Sequence, residues 1–471
     1  MHRRRAISHS LPQWPGGFRA NSYSYLLDSK LLSRHGLICF CTISLLLYIT
    51  LFHSFNRCDG SRQKNPSPKR RWQSYSTDTT DTGVTTTEQL KGTDSATHGF
   101  SLTLVIRMAA VPKLVQRLYC IFLRSCTLFW SPKLGPVSLI LDKESETDHQ
   151  FARKLRQQEK DLGLKFDFLY EPLPDIASGW TKHPGYQRQL WSSFFMDLFI
   201  NASIIGVTDS DAVFTTPVTP ENIFNGHRLR VLASTNTKLM HARRGWYKPT
   251  LLAIGKGMVA DFMTYFPSYV WRDTITNCRN HIMKHMNVSN FEDAFRNLPN
   301  LSPVNVIMNY AYYFEHDRYD WHLDFTETLE DFNAHLPPGV SINASEMEPD
   351  VHVTIHESYY KKRPYPLLQG YCIAKRYVGT LPASCLKFDN VTNFQLFEFQ
   401  TGRLRREHLS PGTWCSGNGR RECIRLIEAH YQNVKKYHKL GWYDLDLRRM
   451  TAVEKAARQE NITCPNIFQL D

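Results

Sequence analysis

Two carboxylates stand one residue apart at the end of an apolar run, IIGVTDSDAVF, at residues 204–214. They are Asp209 and Asp211, and burying an unpaired carboxylate costs several kcal/mol. Hard divalent cations such as Mn2+ and Mg2+ favour carboxylate oxygens and keep positions open for phosphate oxygens. The pair therefore predicts a metal site that can bridge to a diphosphate. The alternative is a turn, because Asp-Ser-Asp is also good turn chemistry.

The elements around this pair alternate between strands and helices, which indicates βαβ units and a largely parallel sheet with flanking helices. In such α/β sheets, ligands bind at the carboxyl ends of the strands, and Asp209 and Asp211 fall at one such end. The predicted strands are 101–108, 135–144, 164–172, 203–211 and 227–235, and the predicted helices are 112–126, 147–162 and 186–200.

The net charge of +13 is concentrated at the N-terminus. Residues 1–72 hold twelve Lys and Arg against two Asp and Glu, so the other 399 residues carry only +3. A body this close to neutral argues against a groove that tracks a phosphate backbone. We therefore expect no nucleic-acid partner.

Residues 36–55 contain no Asp, Glu, Lys or Arg. About twenty such residues can cross a bilayer as a helix, so we expect a single N-terminal membrane anchor preceded by a cytosolic tail, 1–35. A buried core helix is the alternative, and the basic and polar flanks disfavour it. Residues 56–99 are rich in Ser, Thr and other polar residues and are expected to form a disordered stalk.

Sequons and cysteines indicate that the body is lumenal. Nine of the eleven cysteines follow the apolar run without metal-ligand CxxC spacing, which favours disulfides over zinc. Six Asn-x-Ser/Thr sequons also follow it, and Pro303 weakens the one at Asn300. N-glycosylation is expected at Asn201, Asn287, Asn343, Asn390 and Asn461.

An anchor, a stalk and an α/β body with a strand-terminal Asp-x-Asp resemble the layout of Golgi type II glycosyltransferases of the GT-A fold. The blocks GYQRQLWSSFFMDLF, IIGVTDSDAVFTTPVTPENIF, WYKPTLLAIG and NYAYYFEHDRYDW look like those of an uncharacterised family of GT-A-like proteins. The resemblance implies a GT-A-like (Rossmann-like) catalytic domain over 100–370 that uses Mn2+ or Mg2+. It also implies a nucleotide-sugar donor and a glycan, glycoprotein or glycolipid acceptor. Residues 371–471 fall outside it and are expected to form a disulfide-containing extension.

In GT-A enzymes the Asp-x-Asp binds the metal and contacts the donor. Carried over, Asp211 is a direct ligand, and Asp209 is a ribose or water-bridged contact. A further ligand, commonly His, comes from the C-terminal part of the domain, where DVHVTIHESYYKKR offers His352 and His356 on one face of a predicted strand. We favour His356, which lies nearer the strand end, and Lys361 follows closely enough to meet phosphate. A half-exposed edge strand with solvated histidines is the alternative.

Further donor contacts are predicted near the acidic strand. Arg107 ends the first strand, Arg188 lies on the helix before the acidic strand, and Trp180 lies in a Gly/Pro-broken loop. Nucleotide or diphosphate contact is the predicted role of the two arginines, with ordinary salt bridging as the alternative. Trp180 is expected at the rim of the donor or acceptor site.

The catalytic base and the acceptor contacts are less well defined. The segment LSPVNVIMNYAYYF has Pro303 and Val304 where related sequences carry an acidic residue. Asn305 and Asn309 are predicted to bind acceptor hydroxyls. Candidate bases are Asp317, Asp320 and Glu315, each of which could instead be a surface charge or pair with Arg318.

We therefore expect a metal-dependent glycosyltransferase in the Golgi membrane, with the endoplasmic reticulum as an alternative location. The missing acid near Asn305 keeps a catalytically inactive, glycosyltransferase-like lumenal binding protein as a second hypothesis. A metal-dependent phosphohydrolase is a third, and it would require a denser set of His and Asp ligands.

Overall fold

The computed structural model describes residues 99–180, 183–235, 245–298, 300–325, 328–334, 336, 338–356, 365–379, 381–388 and 419–465. The predicted tail, anchor and stalk before residue 99 lie outside these described residues, as do Lys361 and Asn390. Within the described ranges, no helix combines the length and apolar character needed to cross a bilayer.

Strands and helices alternate through the first half of the chain, as the sequence predicts. The strands are β1 (Leu102–Arg107), β2 (Val137–Asp142), β3 (Phe166–Glu171), β4 (Ile204–Val207), β5 (Ala212–Phe214), β6 (Phe224–Asn225), β7 (Arg228–Thr235), β8 (Ser268–Trp271), β9 (Tyr319–Phe325) and β10 (Thr354–His356). The α-helices are α1 (Pro112–Arg117), α2 (Arg124–Phe129), α3 (Glu146–Gln157), α4 (Glu159–Leu162), α5 (Pro184–Ser193), α6 (Met196–Phe199), α7 (Tyr247–Ile254), α8 (Arg272–His285), α9 (Phe291–Arg296), α10 (Pro303–Phe314), α11 (Leu329–Asn333), α12 (Tyr365–Val378), α13 (Gly419–Lys439) and α14 (Arg448–Gln459). A π-helix, Leu118–Leu123, joins α1 to α2, and short 3-10 helices span Asp175–Gly179, Pro220–Asn222, His316–Arg318, Ala344–Met347 and Ala383–Phe388.

The main sheet of the described residues has the strand order β3-β2-β1-β4-β8, with the first four strands parallel and β8 antiparallel. Every residue of β1 is buried, as expected for a parallel strand covered by helices on both faces. The α/β prediction is therefore confirmed, with a mixed rather than wholly parallel sheet. Because the chain runs from β1 outward to β3 and then returns to place β4 on the other side of β1, the order reverses between β1 and β4. Ligand crevices form at such reversals.

The fifth predicted strand forms, but it belongs to a different sheet. β7 pairs in parallel with β9 and antiparallel with β6, so it extends a separate three-stranded sheet. The fifth strand of the main sheet is instead β8, whose four residues are all buried. A strand pattern in a sequence indicates extended backbone but does not indicate which strand will be its partner.

The predicted helix 186–200 is interrupted. Helix α5 ends at Ser193, the chain turns at Phe194 and Phe195, and α6 is one turn long. Because of this break, the side chain of Leu198 does not continue the apolar face of α5, and it is 65% exposed. The predicted helix 112–126, by contrast, is longer than expected, because helical structure continues through the π-helix to Phe129.

The described part of the C-terminal extension packs into the same hydrophobic core as the sheet. Cys423, Tyr431 and Val453 are buried members of that core. Helix α12 meets the chain beyond β5 so closely that a Cβ added at Gly370 would lie 1.7 Å from the carbonyl oxygen of Thr215. The extension is therefore continuous with the body where the structure describes it.

The predicted disulfides are confirmed in the described residues. Cys120 is bonded to Cys464, and Cys372 is bonded to Cys385. Cys423 is also disulfide-bonded. Cys126 and Cys278 are free and buried. The first disulfide joins the π-helix to the segment that follows α14.

Candidate active site

A cavity of about 320 Å³ lies at the carboxyl ends of β1 and β4, where the strand order reverses. A volume of this order is typical of small-molecule sites. The walls come from the ends of these strands, from α1 and α5, and from the start of α10. The lining residues are Arg107, Met108, Leu114, Arg117, Tyr186, Gln189, Leu190, Ser193, Met196, Val207, Thr208, Asp209, Ser210, Asp211, Trp246, Met263, Phe266, Ser302, Pro303 and Val304.

The two carboxylates of the Asp-x-Asp lie in this wall because β4 ends in a turn. The amide of Thr208 still donates to the Val105 carbonyl at 3.0 Å, so pairing with β1 continues to the last residue before Asp209. The amide of Ala212 then donates to the Asp209 carbonyl at 3.1 Å, which closes the turn before β5. Asp-Ser-Asp does form the turn that was considered as the alternative for this motif. That turn places both carboxylate side chains at the cavity.

The electrostatics of Asp209 are set by burial first and by the neighbouring carboxylate second. Burial and the neighbouring carboxylate of Asp211 raise the pKa of Asp209 to about 7, while Arg117 acts in the opposite direction. Gln189 approaches from α5, and its Nε2 donates to Oδ1 of Asp209 at 3.4 Å. A cation bound at this position would relieve the repulsion between the two carboxylates.

Arg117, at the end of α1, was not among the predicted site residues. Its Nη1 lies 3.5 Å from Oδ2 of Asp211, and the Arg117 side chain is 30% exposed. One sequence signal could have identified Arg117: it is a basic residue in the helix that follows β1, and β1 is the first of the two strands between which the order reverses. The amphipathic pattern of residues 112–126 alone does not show that this position faces β4.

The donor set at the carboxylate pair suits a hard cation. Asp209 and Asp211 offer only oxygen, the ligand that Mn2+ and Mg2+ prefer. No group of three or more His, Cys, Asp or Glu side chains among the described residues could hold a metal ion. The hydroxyl of Thr208 is buried in the cavity wall and has no hydrogen-bond partner among these residues. The site thus fits a cation whose coordination is completed by ligand oxygens or water.

The structure separates the two predicted histidine ligands. The backbone of His356, in β10, pairs with Ala212 of β5, the residue directly after Asp211. The side chain of His356 lies outside the described residues. His352 precedes β10, is buried with its ring 5.2 Å from that of Tyr265, and lines a different, smaller cavity. Burial lowers the pKa of His352 to about 3. His352 is therefore a neutral core residue here rather than a ligand beside the Asp pair.

Arg107 and Arg188 form salt bridges, which was the alternative considered for both residues. Arg107 bonds to the carboxylate of Asp142 and lies 3.4 Å from Glu171, and these acids end β2 and β3. Arg188 reaches from α5 to Asp142 at 3.2 Å and to Glu144 at 3.0 Å. Both guanidinium groups thus join the strand ends to α5. Arg107 forms part of the cavity wall, whereas Arg188 does not line the cavity. The structure thus shows salt bridges for both residues, and direct contact with the donor stays a prediction, compatible with the position of Arg107 and not supported by that of Arg188.

Trp180 packs away from the cavity. Its ring lies 6.4 Å from that of Phe295, and it is partly buried against the core. The aromatic residues that do line the cavity are Tyr186, Trp246 and Phe266. The structure therefore does not place Trp180 at this cavity, and its predicted position at the rim of the donor or acceptor site is not supported there.

The candidate bases do not reach the cavity. Asp317 is fully exposed. Asp320 accepts a hydrogen bond from Nε2 of His322 at 3.0 Å. Burial would raise the pKa of Asp320, but His322 and nearby groups hold it below the usual value, which makes Asp320 a poor base. Glu315 pairs with Arg318 at 2.7 Å. None of the three carboxylates is among the residues that line the cavity, and a catalytic role for Asp317, Asp320 or Glu315 stays a prediction that this placement does not support.

Asn305 and Asn309 are fully buried and satisfied by the protein. Oδ1 of Asn305 accepts from the Phe262 amide at 2.7 Å, and Oδ1 of Asn309 accepts from the Val259 amide at 2.6 Å. Nδ2 of Asn309 donates to the Ala260 carbonyl at 3.2 Å. Both side chains hold the loop 259–262 against α10, which supports a role in folding, and their role in acceptor binding stays a prediction.

Asn309→Ala is expected to lower the free energy of unfolding by about 2–4 kcal/mol, because it leaves buried backbone groups without partners. The measurement is urea unfolding, with Asn277→Ala as the control. Asn277 is exposed and bonds to Glu315 at 2.9 Å, so its replacement should change stability by less than about 0.5 kcal/mol. Unchanged stability of Asn309→Ala together with loss of acceptor use would support the binding role.

Four of the predicted glycosylation sites lie at exposed positions. They are Asn201, Asn287, Asn343 and Asn461, and Asn300 of the weakened sequon is exposed as well. Exposure leaves room for a glycan at each of them. N-glycosylation itself stays a prediction.

No family model matches the sequence, and no curated protein matches it. Matching solved structures include galactosyltransferase LgtC in complex with donor and acceptor sugar analogues, at 11% identity and TM-score 0.29, over 44% of this chain and 69% of that one. Mouse xyloside xylosyltransferase 1, apo form, matches at 10% identity and TM-score 0.29, over 47% and 87%. Glycosyltransferase GlyE from Streptococcus pneumoniae TIGR4 matches at 12% identity and TM-score 0.24, over 42% and 43%. These neighbours are glycosyltransferases, but TM-scores this low carry no argument about the activity of this chain.

Proposed function

We propose that this protein is a divalent-cation-dependent glycosyltransferase of the GT-A type that uses a nucleoside-diphosphate sugar as donor. One observation supports the proposal most strongly. Asp209 and Asp211 end the strand at which the order reverses, and they line a cavity large enough for a small molecule. Burial and the neighbouring carboxylate of Asp211 raise the pKa of Asp209 to about 7, and a cation bound at the same place would stabilise the charged form of both carboxylates.

Each part of the cavity has a role in this reaction. A bound Mn2+ or Mg2+ would supply Lewis-acid stabilisation of the departing diphosphate. Asp209 and Asp211 would hold that ion, and Gln189 would orient Asp209 through its bond to Oδ1. Tyr186 and Trp246 offer rings on which a base or sugar can stack.

The transfer itself exchanges one bond for another at the anomeric carbon. The acceptor hydroxyl oxygen bonds to that carbon, and the bond from the carbon to the diphosphate oxygen breaks. The nucleoside diphosphate leaves, and the hydroxyl proton passes to one of its phosphate oxygens or to solvent water. Among the described lining residues, Asp209 and Asp211 are the only carboxylates, and no histidine lines the cavity.

The same observation supports a second candidate, a glycosyltransferase-like protein that binds the donor without turning it over. A phosphohydrolase is less well supported, since the described residues contain no dense cluster of His, Cys, Asp and Glu ligands. Donor binding with neither transfer nor hydrolysis would favour the binding protein.

We place the activity in the lumen of the secretory pathway, at the Golgi membrane, with residues 36–55 as the anchor. The disulfides support an oxidising compartment. The exposed sequons are compatible with the lumen as well. The acceptor would be a glycan, glycoprotein or glycolipid of that compartment.

The proposal is tested by calorimetry on the full-length protein in detergent, with UDP and GDP as probes in Mn2+ or in EDTA. Binding that requires Mn2+ is the expected result, because neither carboxylate attracts a diphosphate without a bridging cation. Sugar-linked forms of the bound nucleotide are then offered with glycan acceptors, and nucleoside diphosphate release is measured. Failure of both nucleotides to bind in Mn2+ would overturn the proposal.

A further inference from the structure

We propose that Arg117 is an exchangeable counter-ion, which pairs with Asp211 in the metal-free site and moves to the donor diphosphate when a cation takes over the carboxylates. This inference rests on the proposed function and assigns to the cavity a residue that the Asp-x-Asp motif does not include. It predicts that cation and diphosphate bind cooperatively because one guanidinium is shared between two anionic partners.

The contact between Arg117 and Asp211 is longer than two of the short ion pairs among the described residues. Its N–O distance is 3.5 Å, whereas Arg279 reaches Asp197 at 2.7 Å and Arg230 reaches Asp350 at 2.7 Å. The side chain of Arg117 is also 30% exposed, against 10% for Arg279. A long and partly exposed ion pair contributes little to stability, so breaking this one contact costs little free energy.

The distances allow the exchange without movement of the backbone. Mg2+ holds its oxygen ligands at about 2.1 Å, so two oxygens on one ion lie at most about 4.2 Å apart. A phosphate oxygen bound to the same ion as Asp211 would therefore lie within about 4 Å of the carboxylate that Arg117 faces. A rotamer change of an unbranched side chain spans this distance.

The charges make the exchange necessary. A divalent ion at Asp211 places two positive charges close to the guanidinium, and these groups repel each other. A diphosphate arriving with the ion supplies the negative charge that Arg117 then pairs with, and guanidinium groups bind phosphate oxygens well. The cation alone should thus bind weakly, and cation with diphosphate should bind tightly.

The backbone around Arg117 is held firmly, so the side chain rather than the helix would move. The π-helix begins at the next residue, and Cys120 within it is bonded to Cys464. Arg124, one residue beyond the π-helix, bonds to Glu454 of α14 at 2.6 Å. Turns of π-helix are frequent at functional sites.

The test measures Mn2+ alone, by titration calorimetry and by the rise in melting temperature, and then UDP and GDP in saturating Mn2+. In Arg117→Ala, the affinity for Mn2+ alone should rise about threefold or more, and the affinity for the nucleotide should fall about tenfold or more. Arg117→Lys keeps the charge and should leave Mn2+ affinity at the wild-type value. Arg449→Ala is the matched control, because Arg449 is 31% exposed, pairs with Asp444 and does not line the cavity.

The outcomes separate this inference from the proposed function. Unchanged or weaker Mn2+ binding by Arg117→Ala, in a protein that still binds Mn2+ with UDP or GDP, overturns the role of Arg117 and leaves the proposed function standing. If Arg117→Ala does not fold, a gain of Mn2+ affinity in Arg117→Gln over Arg117→Lys supports the inference, and equal affinities overturn it. Wild-type protein that binds neither nucleotide in Mn2+ overturns both.

Discussion

Asp211→Asn is expected to weaken Mn2+-dependent binding of a nucleoside diphosphate by at least about 100-fold, a loss of roughly 2.7 kcal/mol or more. Asparagine keeps the size of the side chain but removes the charge that attracts the cation. The free energy of unfolding should stay within about 1 kcal/mol of wild type, because the same change relieves the repulsion that Asp211 exerts on Asp209. Calorimetry with UDP or GDP and urea unfolding measure the two quantities.

A surface carboxylate provides the matched control for this prediction. Asp273 pairs with Arg318 at 2.8 Å and is 63% exposed, so Asp273→Asn removes the same charge without touching the cavity. Its nucleotide affinity should equal that of wild type. Full Mn2+-dependent affinity in Asp211→Asn would show that the Asp-x-Asp does not hold the cation, and the enzyme proposal would fail.

Local patterns predict the position of the Asp-x-Asp well, because strand, turn and carboxylates are all encoded within eleven consecutive residues. The four parallel strands β1–β4 were likewise each expected from short apolar runs bounded by turns. Because ligands of α/β sheets bind at the carboxyl ends of the strands, the position of the site could then be predicted without further information. The sequence therefore predicted the location of the candidate site.

The partners of the site residues are set by contacts between distant parts of the chain, which local patterns do not contain. Asn305 and Asn309 are polar residues on a buried helix, and from sequence alone this favours a ligand-binding role. Their actual partners lie 43 to 50 residues earlier, in the loop 259–262. Buried amides are nearly always hydrogen-bonded, so a missing local partner points to a distant one as readily as to a ligand.

Arg107 and Arg188 show the same limit for charged residues. Arg107 was expected near phosphate because it ends the first strand, and Arg188 because it lies on the helix before the acidic strand. In the structure, both arginines pair with the acids that end β2 and β3, and of the two only Arg107 also lines the cavity. Arg117 is the arginine that reaches Asp211 instead, and only the packing of α1 against the end of β4 shows this.

The arginine contact also bears on whether the acidic pair serves folding or chemistry. A tight, buried ion pair with no space in front of it would have made Asp211 a structural residue. The observed pair is 3.5 Å long and borders a cavity, so the counter-charge is present without filling the site. Folding and chemistry are therefore compatible at this position.

The disulfide between Cys120 and Cys464 is expected to contribute more stability than the one between Cys372 and Cys385. The first closes a loop of 344 residues and the second a loop of 13. The chain-entropy relation then gives about 5–6 kcal/mol for the first and about 3 kcal/mol for the second. Urea unfolding of the double variants Cys120→Ser/Cys464→Ser and Cys372→Ser/Cys385→Ser measures both losses of unfolding free energy. No oxidant is added, so that no new disulfides form.

The two variants should also differ at the cavity, which makes the shorter loop the matched control. Helix α14 packs on the π-helix and on α2, and the disulfide fixes that contact one turn from Arg117. Loss of Cys120–Cys464 should therefore lower the affinity for UDP or GDP in Mn2+ as well as the stability, whereas loss of Cys372–Cys385 should lower stability alone. Equal nucleotide affinity in both variants would show that the C-terminal helix supports the fold without positioning Arg117.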